Sequence, residues 1–219
     1  MDLFERKDIK PMLISQEKEP FDNPDFIYEL KLDGIRCIAY LDKNEVELRN
    51  KRNDRVLFRY PELNNIYKQI KCNNIILDGE LFILKDNKTD FFEMQRRSLM
   101  SDKFKIELAM KKLPVSFCAF DILYKDNEQL TDLPLMQRKE ILQNSLVENN
   151  RISISRYVEN EGIKLFELTT QNNLEGIIAK RKDSKYYFDK RTKDWIKIKN
   201  FEDDEFIIVR IYRERIECQ

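Results

Sequence analysis

Only four glycines occur in 219 residues, and three of them sit in charged steps inside otherwise apolar stretches: Asp33-Gly34, Asp78-Gly79-Glu80 and Glu175-Gly176. A glycine inside a strand weakens it unless something must approach the backbone closely. The first step follows Phe26-Ile27-Tyr28-Glu29-Leu30-Lys31-Leu32, whose alternation has the period of a half-buried strand. Asp33-Gly34 is expected to make a tight turn, because Gly accepts a positive φ that other residues resist. Ile35-Arg36-Cys37-Ile38-Ala39-Tyr40-Leu41 then reads as the returning strand. This hairpin would hold Lys31 at its mouth among other charged groups. A lysine so placed is a nucleophile if its ammonium is driven to lose a proton. The plainer reading is an ordinary hairpin beside a solvated lysine.

Beside each glycine step lies a group suited to phosphate chemistry: Lys31, Glu80 and Glu175. Two carboxylates can hold one divalent ion while lysines screen a triphosphate. Lys197 and Lys199, two apart on one strand face, would repel the Lys31 ammonium and steady charge developing on a phosphate. The chain has no histidine, which excludes histidine metal sites and histidine general bases. A metal must then be held by carboxylates, which points to a hard ion such as Mg²⁺.

The remaining pattern is strand-rich. Residues 1–24, with charge and Pro11, Pro20 and Pro24, read as an extended lead-in. Strands are expected at 45–49, 75–84, 115–124, 152–158, 174–180, 195–199 and 205–212. Helices are expected from Pro61 to residue 72, and over 91–99, 135–146 and 162–169. Strands interleaved irregularly with helices predict an α+β fold of mainly antiparallel sheets.

Lys plus Arg and Asp plus Glu each number 40, so a polyanionic partner would need a local basic patch. The cluster Arg49, Lys51, Arg52, Arg55 and the pair Arg96-Arg97 either balance nearby acids or track a phosphate backbone. Cys37 and Cys118, in apolar strand patterns, read as reduced core residues, and Trp195 as a packing residue. No signal peptide or membrane-spanning run is seen, so a cytoplasmic, nucleoid-associated protein without a membrane partner is expected.

Five of these segments, in order, resemble the motifs of the covalent nucleotidyltransferases: the ATP-dependent DNA ligases with their RNA ligase and capping-enzyme relatives. They are Lys31-Leu32-Asp33-Gly34-Ile35-Arg36, Asp78-Gly79-Glu80, Phe120-Asp121, Glu175-Gly176-Ile177-Ile178-Ala179-Lys180 and Trp195-Ile196-Lys197-Ile198-Lys199. Phe120 to Tyr124, followed by Leu133-Pro134-Leu135 and Arg138, looks most like the DNA ligases of bacterial end-joining proteins and phages.

The resemblance implies a nucleotidyltransferase (ATP-grasp-like ligase adenylation) fold, with ATP and Mg²⁺ (or Mn²⁺) as cofactors. Lys31 would be the nucleophile that forms lysyl-AMP. Phe120 would stack on the purine and Glu29 would mark the strand that reads adenine. Arg36 and Arg49 would contact ribose or phosphates, Glu80 the ribose or metal, and Glu175 the metal. Arg191, Lys197 and Lys199 would bind the triphosphate. The implied partners are nicked double-stranded DNA and DNA-repair or end-joining proteins, with the chain itself a monomer. Residues 25–200 would form the adenylation domain and 201–219 the start of a truncated OB-fold. An RNA ligase, a capping guanylyltransferase and a non-catalytic nucleic-acid-binding module are the alternatives.

Overall fold

Alternating apolar residues build two sheets around a shared core in a computed structural model that describes residues 2–17, 19–86 and 88–200. The chain begins with α1 (Leu3–Arg6), β1 (Leu13–Glu17), β2 (Phe26–Leu30), β3 (Ile35–Asp42) and β4 (Val46–Asn50). Three short 3-10 turns follow, Leu57–Arg59, Pro61–Leu63 and Ile66–Gln69. Next come β5 (Asn74–Lys85), β6 (Lys88–Thr89), α2 (Phe91–Ser98), α3 (Lys103–Lys112), β7 (Val115–Lys125) and β8 (Glu128–Gln129). The rest is α4 (Leu135–Ser145), β9 (Ile152–Ile154), β10 (Tyr157–Glu159), α5 (Gly162–Gln171), β11 (Gly176–Arg181) and β12 (Arg191–Lys199).

One sheet has the order β1-β12-β11-β2-β10 and the other β4-β3-β5-β7-β8, with β6 and β9 attached to β5 and β7. Pairing is antiparallel apart from β1 with β12 and β7 with β9. This is the α+β arrangement expected from the sequence.

Alternation decides the layers. Ile38 and Tyr40 of β3 point toward Ile27 and Trp195 of the opposite sheet, while Cys37, Ala39 and Leu41 pack behind with Leu63, Met94 and Leu142. Because the β3-β5-β7 sheet is buried on both faces, β5 and β7 are nearly continuous apolar runs. The other sheet covers its outer face, including Tyr28 and Ile177, with Leu165 and Phe166 of α5. Cys37 and Cys118 are free and buried, as expected. Among the described residues no helix is long and apolar enough to cross a membrane.

Several local expectations differ from the structure. β2 and β3 do not form a hairpin: they lie in different sheets, and residues 31–34 cross between them. Gly34 has no positive φ; it is required because a Cβ there would lie 2.2 Å from the Leu81 carbonyl oxygen. The stretch 152–158 is likewise divided, β9 joining β7 and β10 joining β2. Period-two alternation marks a strand but carries nothing about its partner.

The segment after Pro61 forms 3-10 turns instead of one helix, though Leu63 and Ile66 still face the core. Residues 1–24, read as an extended lead-in, contain α1, capped by the Asp2 side chain, and β1, which pairs with β12. Helix α3 had no counterpart in the sequence reading. The strand expected at 205–212, and with it the start of an OB-fold, lies outside the described residues.

Candidate active site

The crossing from β2 to β3 places Lys31 at a slot between the two sheets. Its backbone N–H donates to the Gly176 carbonyl at 2.9 Å, and its Nζ donates to Glu175 Oε2 at 2.7 Å. Lys199 Nζ stands 3.6 Å from the other Glu175 oxygen. Gly176 has φ +137°, and a Cβ on it would meet the Ile198 carbonyl oxygen at 2.1 Å. Glycine therefore lets β11 and β12 close up where Lys31 is anchored. Two of the charged glycine steps are thus brought together around one carboxylate with two ammoniums.

The slot's aromatic wall comes from a break in strand register. Asp78 pairs with Asp121 but Gly79 with Ala119, which leaves Phe120 as an extra residue on β7. A bulge of this kind redirects a side chain out of the ladder. Phe120 meets Trp195 edge to face, with centroids 6.0 Å apart, and both line the slot. The Trp195 indole N–H is buried with no acceptor among the described residues.

Arg36 lies 5.4 Å from the Phe120 ring and is held from behind by Asp78, at 3.0 Å from Nε and 2.6 Å from Nη2. Its Nη1 donates to the Met12 carbonyl at 2.6 Å, and the Tyr186 hydroxyl donates to Asp78 at 2.6 Å. Burial works against the Arg36 charge, but Asp78 more than offsets it and raises the guanidinium's pKa.

At the inner end, Glu29 is 2% exposed and accepts from Ser155 Oγ at 2.8 Å and Lys180 Nζ at 3.0 Å. Lys139 of α4 forms a second ion pair with its other oxygen. Burial would raise the Glu29 carboxyl, but Lys139 and Lys180 outweigh it and hold it below its ordinary value. Lys180 Nζ sits 4.5 Å from the Phe120 centroid and 4.2 Å from that of Trp195. Burial, against the attraction of Glu29, pulls its ammonium down to about 8.

Glu80 also faces the slot. Burial raises its carboxyl to about 8 despite Lys31 and Arg36, with Asp78 and Glu175 adding to the rise. Asp33 is raised for the same reasons, burial first and Glu175 next. Among the described residues no group of three or more potential metal-ligating side chains forms a ready cage. Two neighbouring carboxylates, one disfavoured as an anion, fit instead a Mg²⁺ completed by waters and phosphate oxygens.

Glu80 also gives a stability test. Between its unfolded value of 4.5 and its folded value of about 8, the folded state binds more protons, so stability falls as pH rises through that window. Glu80→Gln cannot ionise and should melt above the parent near pH 8 by on the order of 5 °C in chelator, the gap closing toward pH 4.5. Calorimetry across that range checks it; a gap independent of pH would remove the ionisation account.

The structure thus brings Glu29, Lys31, Arg36, Glu80 and Phe120 to one slot, with Glu175 and Lys199 at the Lys31 ammonium. It does not bring two expected residues there. Arg49 pairs with Glu47 at 2.5 Å and donates to the Asn53 carbonyl, away from the slot. Arg191 donates to the Ile14 carbonyl and does not line the slot, whereas Lys197 lies opposite the slot-lining Ile178 and shares one face of β12 with Trp195 and Lys199. Arg96 and Arg97 balance acids, pairing with Glu93 and Glu62. Lys51, Arg52 and Arg55 instead line a groove that continues past Gly34 and Arg36. Lys180, Ser155 and Lys139 were missed. Lys180 was visible as the last residue of the segment Glu175 to Lys180, and Lys139 by its helical spacing from Leu135 and Leu142, whereas nothing local marks Ser155.

Residues 11–199 match the family described as ATP dependent DNA ligase domain. The chain is 30% identical over 200 residues to the SPbeta prophage-derived DNA ligase-like protein LigB of Bacillus subtilis, covering 91% of this chain and 70% of that one. It is 27% identical over 208 residues to the multifunctional non-homologous end joining DNA repair protein LigD of Mycobacterium tuberculosis, covering 94% of this chain but 26% of that protein. A solved mycobacterial DNA ligase D complexed with ATP and MES superposes with a TM-score of 0.76 at 25% identity, covering 92% of this chain and 62% of the other.

Proposed function

We propose, since this chain belongs to the ATP-dependent DNA ligase domain family, that its slot binds ATP and that Lys31 carries the adenylyl group toward a DNA end. The observation that carries this reading is the 2.7 Å contact of Lys31 Nζ with Glu175, at a slot walled by Phe120 and Trp195. An aromatic slot suits a purine, and an amine beside it suits attack on the attached phosphate.

Neutral Lys31 Nζ attacks the α-phosphorus, the bond to the bridging oxygen breaks, and pyrophosphate leaves as lysyl-AMP forms. A DNA 5′-phosphate oxygen then attacks the same phosphorus and frees Lys31. The adjoining 3′-hydroxyl displaces AMP, releases a proton and closes the nick. Phe120 stacks on the purine and Glu29 reads its edge. Glu80 and Glu175 would hold Mg²⁺ (or Mn²⁺), which supplies charge stabilisation for the α-phosphate and the leaving pyrophosphate. Glu175, 2.7 Å from Lys31 Nζ, would be shared between that ion and the nucleophile. Lys199, 3.6 Å from Glu175, steadies the phosphate charge.

Nicked double-stranded DNA is the proposed substrate. The groove carrying Lys51, Arg52 and Arg55 beside Gly34 and Arg36 supports this, because a phosphate backbone entering there would end near Lys31. DNA-repair or end-joining proteins are the proposed partners.

The test is incubation with Mg²⁺ and labelled ATP or GTP, followed by mass analysis for an acid-labile, lysine-linked nucleotide. An AMP adduct at Lys31 is the expected result. A GMP adduct alone would move the protein to the capping branch. Neither adduct nor nucleotide binding would overturn the reading.

A further inference from the structure

Lys139 lies on the buried face of α4 but takes no part in the proposed phosphate chemistry. It is 5% exposed, and its ammonium is directed to Glu29, itself 2% exposed. Lys180 alone already supplies Glu29 with a counter-charge. A second buried ammonium leaves one net positive charge inside the protein, and a buried charge costs several kcal/mol unless something requires it. Stability alone would place an apolar residue at 139. The neighbouring Arg138 already ties α4 to Asp121 of β7.

Position separates the two lysines. Lys180 lines the slot, so a bound ligand competes for it. Lys139 does not line the slot; it lines a separate cleft with Arg156 and Tyr157, on the far side of Ser155, which borders both spaces. Lys139 therefore grips Glu29 from behind, where no slot ligand reaches it.

We propose that Lys139 is a positioning residue for base selection: it keeps Glu29 ionised and oriented as an acceptor, and so favours adenine over guanine. This rests on the nucleotide-binding reading above. An ionised carboxylate only accepts hydrogen bonds, whereas a protonated one also donates. Adenine presents an amino donor where guanine presents a carbonyl acceptor. An acceptor-only Glu29 pairs with the first and repels the second; a protonated Glu29 could serve both. Lys139 is the largest charge opposing the effect of burial on Glu29, ahead of Lys180.

The test compares the whole chain with its Lys139→Met and Lys139→Arg variants. Equilibrium binding of ATP and GTP in Mg²⁺ is measured, together with KM and kcat for lysyl-nucleotide formation. Lys139→Met should weaken ATP binding about tenfold or more and cut the ATP-to-GTP preference by a similar factor, the loss falling on KM more than on kcat. Lys139→Arg, which keeps the charge, should retain most of the preference. Equal losses with both nucleotides, or an unchanged ratio, would mean that Lys139 only supports the fold and would overturn the proposal. If melting shows Lys139→Met unfolded, Lys139→Gln carries the same comparison, since its uncharged amide must also lose the preference. A parent chain that binds neither nucleotide fails the functional reading itself, a result distinct from a parent that binds ATP while the variants keep its ratio.

Discussion

Lys31→Ala should abolish the lysine-linked nucleotide, a loss of at least about 10⁴-fold because no other group replaces a missing nucleophile. The fold should survive. Lys31 and Glu175 are 21% and 18% exposed, and a partly solvated pair of this kind contributes about 1 kcal/mol or less. Glu175 also keeps Lys199 at 3.6 Å. A melting temperature within about 4 °C of the parent is therefore expected. ATP binding should persist, since the aromatic wall and Glu29 are untouched. Lys31→Arg sharpens the test: it keeps a cation opposite Glu175, but a guanidinium cannot deprotonate to attack phosphorus. Both variants should be inactive by intact-mass analysis. Label retained on either would place the nucleophile elsewhere.

Arg138→Met should produce the largest loss of stability, about 3–5 kcal/mol, because it strands a buried carboxylate. Arg138 and Asp121 are both 0% exposed and share two 2.8 Å hydrogen bonds. Arg138 Nη1 also donates to the carbonyls of Leu133 at 2.5 Å and Ser184 at 2.9 Å. The melting temperature should fall by about 10 °C. Pairing the change with Asp121→Leu should restore much of the loss, since the stranded charge is then gone. Additive losses in that double-mutant cycle would refute the ion-pair account. Asp121 follows the bulged Phe120, so Asp121→Leu should also weaken ATP binding through a displaced ring.

The sites differ in how much of them was legible in the sequence. Lys31, Glu80 and Glu175 stood beside scarce glycines, and Phe120 preceded a buried aspartate; these signals are local. Arg49 and Arg191 carried the right charge at plausible positions, yet Glu47 and the Ile14 carbonyl hold them. A neighbour that captures a guanidinium is not encoded in spacing. Lys139 falls on the face of α4 that buries Leu135 and Leu142, so the helical period turns it inward without saying what it meets there. It became significant only through Glu29, 110 positions earlier in the numbering.

The α+β class, most strand positions and the chemical inventory of the site follow from the chain's local pattern alone. Alternation, helix periodicity and glycine placement are properties of a few neighbouring residues, and they survive without knowledge of the rest. Packing in three dimensions was needed to part β2 and β3 into different sheets, to require Gly34 for close approach, and to turn Phe120 out at a bulge. Lys31 meets Glu175 across 144 positions, and Glu29 meets Lys180 across 151. Such pairs form because hydrogen-bond ladders and burial select partners by distance in space, which no short-range pattern along the chain records.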